Sequence, residues 1–182
     1  MESNINKKRG LILVGHGGIP SDCPTELTQK FMALHKKRQS QGLSATQLEV
    51  ELESKIRSWP RTPETDPYKA GLESLAAYLG VLLSDWSLKT AYNEFCAPSI
   101  SEATEQLISE GSKEIVLITT MVTPGGSHSE KEIPEEVAKL NDEFPEISIS
   151  YAWPFDLNKV AELLASHVTK FSSPALLTTE DI

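Results

Sequence analysis

The order of apolar and helical segments predicts an α/β fold: a parallel sheet of about four strands with helices on both faces. Three observations carry that expectation. Four short apolar or half-alternating runs punctuate the chain, at residues 11–14 (LILV), 88–95 (LKTAYNEF), 115–119 (IVLIT) and 147–151 (ISISY). Short runs rich in β-branched residues and bounded by turn residues read as strands. Helical patterns separate the runs, and such alternation argues for parallel strands joined by helical crossovers. The first and third runs are continuously apolar, as in strands covered on both faces.

In chain order, the first strand lies between Gly10 and Gly15. A helix follows from Thr25 to about Gln39, with Leu27, Phe31, Leu34 and Arg38 near helical spacing. A polar helix candidate (48–59), a link bearing Pro60, Pro63 and Pro67, and a helix over 67–83 capped by Asp66 come next. The stretch from about 40 to 87 reads as an α-helical insertion in the first crossover, too poor in apolar residues for a core of its own. After the second strand, Ser99 with Glu102 three residues on makes a capping box, and Gly111 stops the helix. Pro134 suits a first helical turn, with Glu135 and Glu136 favourable to the dipole, and Pro145 ends that helix. Asp156 caps a last helix, 157–171. Residues 1–171 are thus expected as a single domain and 172–182 as a loose tail.

Composition narrows the function. The chain has 182 residues, 39% hydrophobic and 24% charged, which suits one globular domain. Its formal charge of −9 argues against nucleic-acid binding, which needs a basic face. Two cysteines, Cys23 and Cys96, lack metal-type spacing, so reduced thiols and a cytoplasmic location are expected. No apolar run is long enough to span a membrane. The basic start leads into only four apolar residues before Gly15, which fails as a signal peptide.

Ligands of open parallel sheets bind beyond the carboxyl ends of the strands. That rim collects Gly15-His16-Gly17-Gly18 after the first strand, and Asn93, Glu94 and Cys96 at the end of the second. It also collects the Gly-rich loop 121–129, with Gly125, Gly126, Ser127 and His128, and Trp153-Pro154-Phe155 after the fourth. Glycines let backbone approach a ligand closely, and they leave His16 unshielded. His16 could otherwise fill a tight turn, and His128 could be a surface histidine of a flexible loop. Glu132, three residues after Ser129, has capping-box spacing. Trp153 and Phe155 suit either rim packing or a platform for a flat ligand. His35, His167 and the run Lys36-Lys37-Arg38 fall on helical patterns and are expected on solvated faces.

Nucleotide motifs are missing. Pro20 stands where a dinucleotide fingerprint needs its last glycine, and no P-loop pattern occurs, so no nucleotide cofactor is expected. The segment 125–129 is like a nucleophile elbow without its final glycine. A serine hydrolase using Ser127 is therefore the alternative from a different class.

Three segments of this rim resemble the ATP-independent class II chelatases, the sirohydrochlorin cobaltochelatase and ferrochelatase family. LILVGHGG (11–18) is similar to that family's opening strand and metal-site histidine. AYNEFCAPSISEA (91–103) is similar to its second-strand segment, and TTMVTPGGSHSEKEIPEEV (119–137) to its histidine loop. With the strand and helix that follow, the likeness covers the greater part of the chain. It departs at Glu132 and Ala97, at residues 120–123, and in the long insertion. The resemblance implies that His16 and His128 bind metal and that Glu94 is an active-site carboxylate. It implies a divalent ion (Co²⁺, Fe²⁺ or Ni²⁺) and a tetrapyrrole such as sirohydrochlorin as substrates. One copy of the half-domain implies a homodimer, which would also cover Leu72, Leu75, Leu79, Leu82 and Leu83. For such a substrate, backbone N–H groups at Gly17, Gly18, Gly125 and Gly126 would meet carboxylates. Trp153 and Phe155 would meet the macrocycle face. A metal or tetrapyrrole carrier without turnover is the alternative within the fold.

Overall fold

A computed structural model describes residues 8–171. The expected tail, 172–182, lies outside the described residues. Four strands, β1 (Lys8–Gly15), β2 (Trp86–Tyr92), β3 (Ser112–Thr119) and β4 (Ser148–Tyr151), form one sheet in the order β2-β1-β3-β4. All three pairings are parallel. The chain therefore belongs to the α/β class that the alternation predicted, with β1 and β3 at the centre.

Side-chain alternation along β1 sends Ile12 and Val14 to one face and Leu13 to the other. Ile12 and Val14 join Ala91, Ile115 and Leu117 beneath two helices, α4 (Ile100–Ser109) and α5 (Ile133–Glu143). These helices contribute Ala103, Leu107, Val137 and Leu140. Leu13 packs with Tyr92 and Cys96 under Leu72 and Ala76 of α3 (Pro67–Leu82). Each large apolar side chain so buried is worth about 1.5–3 kcal/mol. Ser99 and Glu102 form both halves of the expected capping box at α4, and Asp66 caps α3 by accepting from the Lys69 N–H.

The segment expected as an insertion divides in two. Its later part, α3, closes the sheet over β1 and β2. Its earlier part, α2 (Gln47–Arg57), pairs with α1 (Thr25–Gln41) into a hairpin around Cys23, Phe31, Leu52 and Ile56. Thr46 caps α2 by accepting from the Glu49 N–H. The hairpin overturns one expectation. His35 and Arg38 do not lie on a solvated face, because Glu49 of α2, 1% exposed, draws them inward. Arg38 Nε donates to Glu49 at 2.7 Å and His35 Nδ1 lies 3.4 Å from it. A buried carboxylate must be paired, so the pairing overrides the polar pattern. Lys36 and Lys37 are exposed as expected.

The last helix, α6 (Leu157–Val168), is capped by Asp156 and buries none of its residues. Leu163, Leu164 and Val168 are exposed on it, as are Leu75, Tyr78, Val81 and Leu82 on α3. Of the five leucines expected to need a partner's cover, Leu72 is buried against the sheet and Leu79 packs partly there. Among the described residues, no helix is long and apolar enough to cross a membrane.

Candidate metal centre

The strand order reverses between β1 and β3, because the chain runs outward to β2 on one side and to β4 on the other. A crevice opens at such a switch point beyond the carboxyl ends. His16 follows β1 there directly. The second contribution differs from expectation: β2 ends at Tyr92, so Asn93 and Glu94 are not strand residues. They continue alongside the β1 loop instead. Asn93 N–H donates to Gly15 O at 2.9 Å and Glu94 N–H to His16 O at 2.8 Å. Phe95 then turns the chain away with φ of +56°.

Gly17 makes this close approach feasible. It has φ of +92°, and a Cβ placed on it would collide with the carbonyl oxygen of Glu94. Only glycine accepts both the dihedral and the contact. The third contribution comes from the β3 loop, expected as an irregular Gly-rich loop. It ends instead in a single π-turn, His128–Glu132, that runs straight into α5. Pi-turns of this kind occur often at functional sites.

His16, Glu94 and His128 converge. Each offers a ligand atom, and the three atoms lie within 4.8 Å of one another, all half-buried. His16 Nε2 is 3.7 Å from Glu94 Oε2, and the two imidazoles meet edge-on with centroids 4.8 Å apart. His16 Nδ1 lies 2.8 Å from Gly17 O. A carbonyl only accepts, so Nδ1 carries the proton and Nε2 presents a lone pair to the crevice. The His16 N–H donates to the Tyr68 hydroxyl at 2.8 Å, which ties the loop to the first turn of α3.

Two residues of the rim, Asn93 and Glu132, meet His128 in a way that the sequence reading does not anticipate. Glu132 Oε2 lies 2.9 Å from His128 Nδ1, and Asn93 Nδ2 donates to Glu132 at 3.0 Å while lying 2.7 Å from the same imidazole nitrogen. Burial pushes the Glu132 carboxyl up. Bonds from Asn93 and His128, the His128 charge and a bond from Ser127 outweigh that and hold it below the usual carboxylate range. The capping-box expectation for Glu132 is therefore wrong. Ser129 is buried and its hydroxyl donates to Gly126 O at 3.2 Å. The signal was available: positions 128 and 132 share one face of a helical turn.

Other expected positions fare differently. The Gly125 N–H donates to Glu130 Oε1 at 2.9 Å, so it is already occupied and not free for a substrate anion. Gly18 presents its carbonyl to Arg61 Nη1 at 2.8 Å. Trp153 and Phe155 form an aromatic row with Tyr151 beyond β4, stacked at 6.1 Å and edge-on at 5.7 Å, and are not part of the three-residue cluster. Ser127 lies eight residues beyond the end of β3, at the N-cap position of the π-turn. That is not the strand–turn–helix geometry of a nucleophile elbow, and nothing in the site favours a hydrolase. Cys23 and Cys96 are free thiols, both buried.

Comparison with known proteins agrees with this architecture. The CbiX family model matches residues 64–170, from just before α3 to the end of α6. A sirohydrochlorin cobaltochelatase of Priestia megaterium is 23% identical over 109 residues, 57% of this chain and 35% of that one. A sirohydrochlorin ferrochelatase of the same organism is 22% identical over 83 residues, 45% of this chain and 31% of that one. The chain thus spans about a third of the length of the curated relatives it matches. A crystal structure described as a cobalamin (vitamin B12) biosynthesis CbiX protein from Marinobacter aquaeolei VT8 has a similar fold. It is 17% identical, with a TM-score of 0.53, and the match covers 90% of this chain and 95% of that one. The family match takes in β2, β3, β4 and the loops bearing Glu94 and His128, and it spans more than half the sequence. The chain belongs to the CbiX family, the class II chelatases.

Proposed function

We propose that this protein is an ATP-independent chelatase that inserts a divalent metal ion, Co²⁺, Fe²⁺ or Ni²⁺, into a tetrapyrrole such as sirohydrochlorin. It would act in the cytoplasm, in cobalamin- or siroheme-type biosynthesis. The observation that carries the reading is the convergence of His16, Glu94 and His128 within 4.8 Å at the switch point of the sheet. The ion is a substrate here. Two imidazoles and a carboxylate suit borderline divalent ions. Three protein donors leave coordination positions open for macrocycle nitrogens.

The residues divide the work. His16 offers Nε2 because Gly17 O fixes its Nδ1 proton. Ligation through His128 Nε2 selects the tautomer whose Nδ1–H donates to Glu132, a carboxylate–histidine arrangement that orients the ring and raises its basicity. Insertion forms metal–nitrogen bonds as two pyrrole N–H protons leave, so the products are the metallated macrocycle and two protons. Glu94 and the imidazoles that release the ion are the bases in reach. Trp153 and Phe155 are the proposed platform for the macrocycle, and the backbone N–H groups at Gly17, Gly18 and Gly126 are the proposed contacts for its carboxylates. The chain supplies one such rim, and the exposed apolar residues of α3 and α6 need cover, so we propose a homodimer.

A spectrophotometric metallation assay with sirohydrochlorin and each ion tests the reading. Many turnovers per protein are expected. Uptake of one metal equivalent without product would make the protein a carrier, and no uptake would sink the metal site. Sedimentation at micromolar concentration should give a dimer, and a monomer would reject that part.

A further inference from the structure

Arg61 lies in the link between α2 and α3, just outside the span that the family model matches. Only 6% of its side chain is exposed. The guanidinium reaches four separate segments. Nη1 donates to Gly18 O at 2.8 Å and to Asp66 Oδ2. Nη2 donates to Ile56 O at 3.1 Å and to Phe95 O. Gly18 stands two residues after His16, and Phe95 directly follows Glu94. Asp66, 4% exposed, supplies the opposite charge while capping α3. Phe95 also packs at 6.1 Å from Phe31 of α1 and 6.2 Å from the His16 ring. The α1–α2 hairpin therefore bears on the Glu94 loop from behind.

We infer that Arg61 is a positioning residue that sets the spacing between the loop carrying His16 and the loop carrying Glu94. The inference rests on the metal-site reading proposed above. Neither loop is regular secondary structure, so no ladder beyond the short pairing at residues 93 and 94 fixes their separation. A planar fork with donors on two nitrogens holds carbonyls of both loops at once, and Asp66 holds the fork. A lysine keeps the charge but gathers its donors on one nitrogen, so it cannot replace that geometry.

Co²⁺ binding to the full chain tests this, read by calorimetry and by the visible absorption of the bound ion. Arg61→Lys and Arg61→Met should weaken Co²⁺ binding roughly 10- to 100-fold, the range for partners that orient metal ligands. They should also alter the absorption band, whereas His167→Ala should change neither. A variant with a lowered melting midpoint that still binds Co²⁺ below that midpoint with wild-type affinity and spectrum would overturn the inference. If neither variant folds, hydrogen exchange on the wild-type chain decides. Co²⁺ should slow exchange across residues 57–66 as well as in the loops 15–18 and 93–96, and protection confined to the two loops would overturn the inference. Wild-type protein that binds no Co²⁺, or His16→Ala that binds it normally, rejects the metal-site reading itself and the inference with it.

Discussion

His16 and His128 face each other across 4.8 Å yet are held by opposite means. His16 is tied by backbone, through its neighbour's carbonyl and a main-chain bond to Tyr68. Its side chain is 41% exposed, against 22% for His128. His128 is tied by a side chain, the Glu132 carboxylate at the other end of its own π-turn, and Asn93 of the Glu94 loop holds that carboxylate by donating to it. One imidazole thus depends on the path of the main chain and the other on an anion behind it. The two should fail under different substitutions.

The severest test falls on the backbone-held side. Gly17→Ala puts a methyl group into the Glu94 carbonyl at a positive φ. We expect a loss of roughly 3 kcal/mol in thermal or denaturant unfolding, the scale of backbone strain combined with overpacking. Co²⁺ binding should be lost with it, because His16 and Glu94 are pushed apart. An alanine variant with wild-type stability would show that the two loops need not touch.

Removing the ligands themselves should separate affinity from stability. His16→Ala and His128→Ala should each weaken Co²⁺ binding by more than the roughly 100-fold at the upper end of orienting-partner changes. Metal-free His16→Ala should stay within about 0.5 kcal/mol of wild type, as surface changes do, while metal-free His128→Ala, which leaves Glu132 without its imidazole partner, should cost about 1 kcal/mol. Calorimetric titration with paired melting curves reads both. Unfolding of either metal-free variant would return these histidines to a turn-stabilising role. Glu132→Gln sharpens the contrast on the anion-held side. It keeps the shape but removes the charge behind His128, and we expect Co²⁺ affinity to fall about 10-fold. An unchanged titration would mean that Glu132 does not orient His128.

The sheet and its rim were legible because both are local properties of the chain. Strand runs, the Ser99–Glu102 box, the Asp66–Pro67 helix start and the Gly-flanked His16 each lie within a few residues of their cause. The misses share a different character. The bonds from Arg61 to Gly18 and Phe95 join residues 43 and 34 positions apart, and the acceptors are carbonyls that every residue possesses. No spacing rule marks them. Glu132 fits two local patterns at once. Its spacing of three from Ser129 is that of a cap, its spacing of four from His128 is that of a shared face, and Asn93 from a distant loop decides between them. The second strand ends at Tyr92, three residues short of the run expected from the sequence, for a similar reason. Asn93 to Phe95 keep an extended look in sequence, but the contact with the His16 loop turns them.

The smallest effects concern the two histidines outside the site, which sequence alone set down as equivalent. His167 lies on the exposed α6, and His167→Ala should change neither stability nor Co²⁺ binding. His35 instead faces the buried Glu49, with Arg38 beside it. Burial pushes the Glu49 carboxyl up, but the Arg38 bond and charge, His35 and the Thr46 bond outweigh it and hold it below the usual carboxylate range. A depressed carboxylate stabilises the fold above the unfolded-state value and loses that contribution as pH falls through the folded one. The α1–α2 hairpin should therefore weaken in acid, beginning below about pH 4.5. Glu49→Gln should flatten that part of the stability profile. His35→Ala should cost about 1 kcal/mol at neutral pH, the scale of one lost buried hydrogen-bonding partner. It should leave the metal ligands untouched, and therefore the Co²⁺ titration as well. Equal melting midpoints for His35→Ala and His167→Ala would show that Arg38 alone suffices to hold Glu49.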